Sequence, residues 1–286
     1  MKKLARLVKD IEKQGGGPGC HQSEEYILRI PDNFITFNKL IGLPVHPRTK
    51  KETPLFQYEL DILDLLDRHH WLLINKARKI GVSEIVLRII AFKCFSTYEG
   101  YQIMLVAGNR MQHAHRLMRR FQKLFVNINE FVADKTADRM LLTNGTEIMA
   151  MPSNDTALRG PEKVKCIFLD EAAHFNIIND EDVYNALEPN LSNTNGDFIA
   201  VSTPNGKRGM FYDLWIDNEN RFYKLPLPYT VSLGLLLDEK MIEQKKQDRT
   251  IDFEQEYMCQ FTSPKGAFIT EDLIRSMEED YEMEDI

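Results

Sequence analysis

The sequence predicts an α/β domain in which a mostly parallel sheet is covered by helices on both faces. Short apolar runs of strand length recur between about residues 54 and 230. They alternate with longer segments whose apolar residues repeat at helical spacing, and no internal repeat or low-complexity linker interrupts the series. Strands buried on both faces and joined through helices have this pattern.

Taken in order, residues 1–13 read as a short basic amphipathic helix, which the glycine cluster from Gly15 to Gly19 with Pro18 breaks into a hinged N-terminal arm. Pro54 opens a helix to about Arg68 with Leu55, Tyr58, Ile62, Leu65 and Leu66 on one face. Trp71 to Ile74 fits a buried strand, and a loop then leads to an apolar-rich helix from Ser83 to about Phe95. Ile103 to Ala107 is the next strand, and residues 110–125 form a helix with Met111, Ala114, Leu117, Met118, Phe121, Leu124 and Phe125 on its buried side. Asn144-Gly145 between two apolar pairs signals a hairpin. Further strands are Cys166 to Leu169, Phe198 to Ser202 and Phe222 to Leu225, and Asp238 to Gln260 reads as two amphipathic helices. The chain thus divides into a lead-in at 1–50, a core at 51–232, a helical segment at 233–270 and an acidic tail at 271–286.

The 286 residues carry 36 Lys+Arg against 43 Asp+Glu, a formal charge of −7. Eight of the acids and one base fall in residues 271–286, which leaves 35 of each sign in the body. An acidic pI of about 5.6 is therefore no argument against a nucleic-acid partner, because a local basic face matters more than the total. The composition excludes collagen-like, disordered and disulfide-stapled classes. Four cysteines without a C-x-x-C pair read as reduced and intracellular. No run of 18 apolar residues and no secretory leader is present, so a soluble cytoplasmic protein without membrane contact is expected. The seven histidines include no metal-ligand spacing, and no structural metal is expected.

The loop Lys76-Ala77-Arg78-Lys79-Ile80-Gly81-Val82-Ser83 follows a strand and opens a helix. A P-loop, G-x-x-x-x-G-K-[ST], cradles phosphates with backbone N–H groups and binds Mg²⁺ through its hydroxyl. Only Gly81 and Ser83 match; Val82 stands where the lysine belongs, and Lys76, Arg78 and Lys79 offer cations at the front instead. About ninety residues on, a buried strand ends in Asp170 and Glu171, where one carboxylate can hold Mg²⁺ and the next can polarise an attacking water. Together the two motifs read as a nucleotide site for Mg²⁺ and ATP. Gln57 lies on the preceding helix, where an amide can read adenine, although a solvated glutamine looks the same locally. Arg159, in a polar loop before the acidic strand, can stabilise charge on a transferred phosphoryl group or be a plain surface arginine. Ser202, Thr203 and Pro204 end the next strand at the same sheet edge. The helix with Arg110, Arg116, Arg119, Arg120 and Lys123 and no acid is the best candidate for contacting DNA phosphates without reading sequence; a solvated basic face is the alternative.

The order Gln57, Lys-Ala-Arg-Lys-Ile-Gly-Val-Ser, Leu158-Arg159-Gly160, Ile-Phe-Leu-Asp-Glu-Ala and Ser-Thr-Pro-Asn-Gly resembles the ATPase domain of large terminase subunits, the viral DNA-packaging motors, over roughly residues 50–230. The resemblance implies a RecA-like ASCE ATPase that assembles as a homo-oligomeric ring and translocates double-stranded DNA, with the portal and the small terminase subunit as further partners. It implies Gln57 as the adenine reader, Arg78 or Lys79 as the early basic residue of the deviant loop, Ser83 and Asp170 as Mg²⁺ ligands and Glu171 as the catalytic glutamate. It further implies Arg159 as a residue reaching a neighbour's nucleotide, Ser202 to Pro204 as the coupling motif and residues 233–270 as a small lid. Some terminases carry the lysine at the front of the loop, which makes Lys76 the substitute. Complete relatives continue into a nuclease, whereas only 18 residues follow Phe268, so no nuclease activity is expected from this chain. Two other readings remain open. A superfamily 2 helicase resembles the Asp-Glu box but needs a second lobe, for which the 56 residues after Thr230 are too few. A non-hydrolysing nucleotide-binding assembly module accords with Val82.

Overall fold

The computed structural model describes residues 29–153, 156–175 and 180–263. The basic helix and glycine hinge at 1–19, Cys20 and the acidic tail at 271–286 lie outside the described residues. The described residues from Pro31 onward form one compact unit.

Among the described residues, eight strands form one sheet: β1 (Trp71–Lys76), β2 (Gln102–Ala107), β3 (Val132–Lys135), β4 (Arg139–Leu142), β5 (Glu147–Met151), β6 (Val164–Asp170), β7 (Asp197–Ser202) and β8 (Tyr223–Leu227). Their spatial order is β3-β4-β5-β2-β6-β7-β1-β8. The pairings from β5 to β8 are parallel, and only β3-β4 and β4-β5 are antiparallel. All six residues of β1 are buried, because apolar side chains must face helices on both sides of a parallel sheet. Leu72, Leu73 and Ile74 are fully enclosed, each contributing roughly 1.5–3 kcal/mol of transfer free energy.

The described helices are α1 (Phe34–Ile41), α2 (Gln57–His69), α3 (Val82–Lys93), α4 (Met111–Lys123), α5 (Asp180–Leu187), α6 (Met210–Ile216), α7 (Glu239–Gln247) and α8 (Phe253–Met258). One sheet face, with Leu73, Met104, Ile167 and Phe198, packs against Val183 and Leu187 of α5 and Met210 and Phe211 of α6. Strand residues of opposite parity are equally buried, and α2 and α4 pack on β1 and on β2 and β5. None of the described helices is long and apolar enough to cross a membrane.

The expected helix from Pro54 begins instead at Gln57: residue 56 is extended, and the Glu59 carboxylate accepts the Phe56 N–H at 2.9 Å, which sets the start. Residues 34–41, read only as lead-in, form α1, whose Phe34 and Phe37 rings meet Phe92 of α3 at 5.6 and 5.5 Å. The hairpin at Asn144-Gly145 joins β4 and β5, with Gly145 at φ 86°. Both sheet edges are blunted. Pro226 in β8 lacks an N–H, and β3 is a four-residue strand with a register shift and a largely exposed, charged end. Cys94, Cys166 and Cys259 are buried free thiols, and burial pushes the Cys259 thiol up to about 12.

Register brings the site together. Asn75 of β1 lies beside Ser202 of β7, Val201 of β7 beside Asp170 of β6, and Asp170 beside Ala107 of β2. The carboxyl ends of four parallel strands therefore lie at one level.

Candidate functional site

β1 delivers Lys76 to this edge, and the chain turns sharply into α3. Ala77 donates its N–H to Leu227 O at 2.8 Å and Arg78 to Glu256 O at 2.9 Å, which pins the front of the turn. Lys79 at φ 61° and Gly81 at φ 84° then reverse the backbone. Among the described residues, no backbone carbonyl takes the N–H groups of residues 79–83, so they form a concave donor surface at the start of a twelve-residue helix. The Tyr58 hydroxyl donates to Ile80 O at 2.6 Å and braces the turn from behind.

Val82 is packed into the core, as is Ile80. The place of the usual P-loop lysine thus faces apolar neighbours, and a cation must come from elsewhere. Lys76 supplies one: its side chain is only 6% exposed, and Nζ lies 3.2 Å from Glu171 Oε1. Arg78 is largely exposed and pairs with Glu256 at 2.9 Å, and Lys79 is exposed.

β6 ends at the buried Asp170, and Glu171 follows in the left-handed region at φ 57°, ψ 45°. A non-glycine residue held there costs of order 1–3 kcal/mol, a strain found where geometry serves chemistry. The Ser83 hydroxyl donates to Asp170 Oδ1 at 2.6 Å. Burial raises the Asp170 carboxyl above its usual range, and the Ser83 hydrogen bond offsets part of that. A hydroxyl and a carboxylate this close, beside free N–H groups, suit Mg²⁺, which takes one or two protein oxygens and completes its shell with phosphate and water. Among the described residues there is no cluster of three or more His, Cys, Asp or Glu for a metal held by protein alone.

The turn after Glu171 is fastened to the end of β7. Ala173 N–H donates to Ser202 Oγ at 3.1 Å, Asn205 Nδ2 to Ala173 O at 3.0 Å, and His174 Nε2 lies 3.0 Å from Thr203 Oγ1. Pro204 is buried beside them. Burial lowers the His174 pKa, which favours a neutral ring.

The structure brings Lys76, Ser83, Asp170, Glu171, Ser202 and Thr203 to one edge. Gln57 sits exposed at the start of α2, with its amide donating to Asp61 at 2.8 Å, next to the Tyr58 that holds Ile80. Arg159 is exposed at the end of a 3₁₀ turn (Thr156–Arg159), behind the buried Leu158. Of the basic helix, Arg110, Arg116, Arg119 and Lys123 are exposed. Arg120 departs from the expectation of a side chain left free for DNA: it lies 3.6 Å from Glu84 and 3.6 Å from Asp170. The helix packs across β2 and β5 and so aims that position at the acidic strand's end. Beside it is a cavity of about 260 Å³ lined by Asn109, His113, Arg116, Arg120, Glu171 and His174.

Sequence reasoning missed Arg120 as a partner of Asp170, and also Glu59, Glu256 and His174. The Asp-Glu-Ala-Ala-His run could have flagged His174; the others depend on tertiary register and leave no local signal.

The family profile described as "Terminase large subunit, T4likevirus-type, N-terminal" matches residues 73–276. No curated protein matches. Among solved structures, the large terminase ATPase domain of Thermus phage P74-26 is 21% identical with a TM-score of 0.61, covering 82% of this chain and 100% of that one. The HK97 bacteriophage large terminase is 18% identical with a TM-score of 0.62, covering 79% of this chain and 54% of that one. A large terminase from a thermophilic bacteriophage, solved in complex with ADP, is 12% identical with a TM-score of 0.59 and covers 73% and 54%. The chain thus spans about half the length of those two large terminases, and these likenesses show a RecA-like ASCE fold.

Proposed function

The chain belongs to the terminase large-subunit family, matching its T4likevirus-type N-terminal region, and on that premise we propose that it hydrolyses Mg²⁺·ATP to drive double-stranded DNA translocation as part of a homo-oligomeric ring. The observation that carries the reading is the 2.6 Å hydrogen bond between Ser83 and Asp170, which joins the two halves of a nucleotide site separated by 87 positions. Their two oxygens would hold the metal, which when bound neutralises charge on the β- and γ-phosphates.

Residues 79–83 receive phosphate oxygens on their N–H groups, with Lys76 as the buried cation and Arg78 and Lys79 at the mouth. Glu171 orients the water that attacks the γ-phosphorus and accepts its proton. Its contact with Lys76 holds the carboxylate ready, and the strained backbone fixes its direction. Gln57 reads adenine once its amide leaves Asp61. Arg159 acts on a neighbouring subunit's nucleotide, since it is exposed and makes no contact with Glu171. Ser202, Thr203 and Pro204 carry the change at Glu171 into β7. Arg119 and Lys123 offer duplex contact along the exposed side of α4, with Arg110 exposed just before its start and with the portal and small terminase subunit as further partners in the cytoplasm of an infected or provirus-carrying cell.

Measuring ATP turnover with and without duplex DNA tests this directly. Stimulation by duplex is expected, and Glu171→Gln should keep nucleotide binding while lowering turnover at least about a hundredfold, the scale of a lost general base. Stimulation by single strands only would indicate a helicase. Binding without turnover in the unaltered protein would indicate an assembly module.

A further inference from the structure

We propose that the cavity between β2 and β6 is a second oxyanion site, which takes the inorganic phosphate released by hydrolysis; the proposal rests on the hydrolytic reading above. The cavity lies at a second strand-to-helix turn, on the other side of β6 from β7 and β1. β2 ends at Ala107, directly beside Asp170, and the chain turns through Gly108 into the thirteen-residue α4. Gly108 has φ +57°, and a Cβ there would fall 1.9 Å from His113 Nδ1. Only glycine lets the turn close onto the first turn of the helix, so His113, Arg116 and Arg120 form a wall at helical spacing.

The charges in the cavity are unevenly satisfied. Glu171 has Lys76 at 3.2 Å, and Asp170 has Ser83 and Arg120, the latter shared with Glu84. Arg116 lines the same space and has no carboxylate within ion-pair distance among the described residues. An entering anion therefore meets a planar guanidinium that is not already neutralised and whose fork can make charge-assisted hydrogen bonds to it. The volume of about 260 Å³ admits an oxyanion with several waters at roughly 30 Å³ each. Asp170 and Glu171 on its floor oppose a long-lived anion, which suits a product on its way out.

Glu171 links the two sites. Lys76 touches it from the phosphate loop, and the same residue lines the cavity. Hydrolysis forms a bond from the water oxygen to the γ-phosphorus, breaks the bond to the bridging oxygen of ADP, and passes the water's proton to Glu171. In-line displacement carries the phosphorus toward the side from which the water came, which is the side of Glu171. A DNA backbone suits the space less well, because a polyanion would have to pass both carboxylates to reach Arg116.

The test is a calorimetric titration of inorganic phosphate into protein saturated with ADP, which fills the loop at 76–83. Saturable millimolar binding is expected, weakened roughly tenfold by Arg116→Gln, the scale of one charge-assisted contact, and largely retained by Arg116→Lys. Arg116 is exposed, so neither variant threatens folding. Absence of saturation in the unaltered protein would overturn the proposal. So would binding lost in Lys76→Met but kept in Arg116→Gln, which would place the ion in the phosphate loop. Weakened duplex binding with unchanged phosphate binding in Arg116→Gln would reassign Arg116 to DNA. If ADP fails to bind, the nucleotide reading falls, and the same titration of nucleotide-free protein still decides whether Arg116 holds phosphate.

Discussion

Burial pushes the Glu59 carboxyl up to about 7, although it accepts the Phe56 N–H and has Arg88 nearby; Glu84 adds to the rise. A carboxyl raised on folding contributes stability that is fully present below its unfolded pKa, near 4.5, and is lost as pH rises through the folded value. Each pH step of one between the unfolded and folded values is worth about 1.4 kcal/mol, so stability should fall by about 2–3 kcal/mol between pH 4.5 and 8 on account of this residue. Glu59→Gln keeps an acceptor for the helix start and should flatten the decline. Asp170, raised in the same direction, preserves part of the slope. Urea unfolding at a series of pH values checks this, and identical slopes in both proteins would remove Glu59 as a cause. Lys76, Ser83, Asp170 and Glu171 were legible in the sequence because each ends a strand or opens a helix in a recognisable order. Glu59 and Arg120 were not, since a glutamate on an amphipathic helix and an arginine in a basic run acquire their neighbours only through packing.

At the level of elements, α8 ties two parts of the site together. Glu256 O accepts the Arg78 N–H and its carboxylate pairs with the Arg78 guanidinium, while Gln255 Oε1 accepts the Gly206 N–H at 2.8 Å. A six-residue helix thus holds the turn after β1 and the turn after β7. Gln255→Ala leaves Gly206 unpaired at a cost of about 1–2 kcal/mol. It should lower turnover more than ADP affinity, whereas equal effects on both would reduce α8 to packing. The four central strands β1, β2, β6 and β7 were readable as apolar runs. Their spatial order was not, because placing β7 between β6 and β1 depends on crossovers that periodicity does not record. α1, with its Phe-Ile-Thr-Phe start, has strand-like composition, and α5 and α6 span about two turns each, too few for a helical period to emerge. β3 exists because the hairpin beside it offers an edge.

For the molecule as a whole, the question is whether one copy completes its own site. The exposed position of Arg159 leads to a mixing experiment. Arg159→Ala and Glu171→Gln should each be inactive alone, and a one-to-one mixture should recover up to about a quarter of normal turnover if heterologous contacts pair one subunit's arginine with the next subunit's glutamate. No recovery would place Arg159 in its own subunit's site. The sheet edges bear on how such copies can join. Pro226 on one side and the short, kinked β3 on the other give an incoming strand no continuous row of N–H and C=O groups. Copies would then meet without extending either sheet, and such a seam can loosen and re-form while every sheet stays intact, which lets each subunit shift against its neighbour without unfolding a strand.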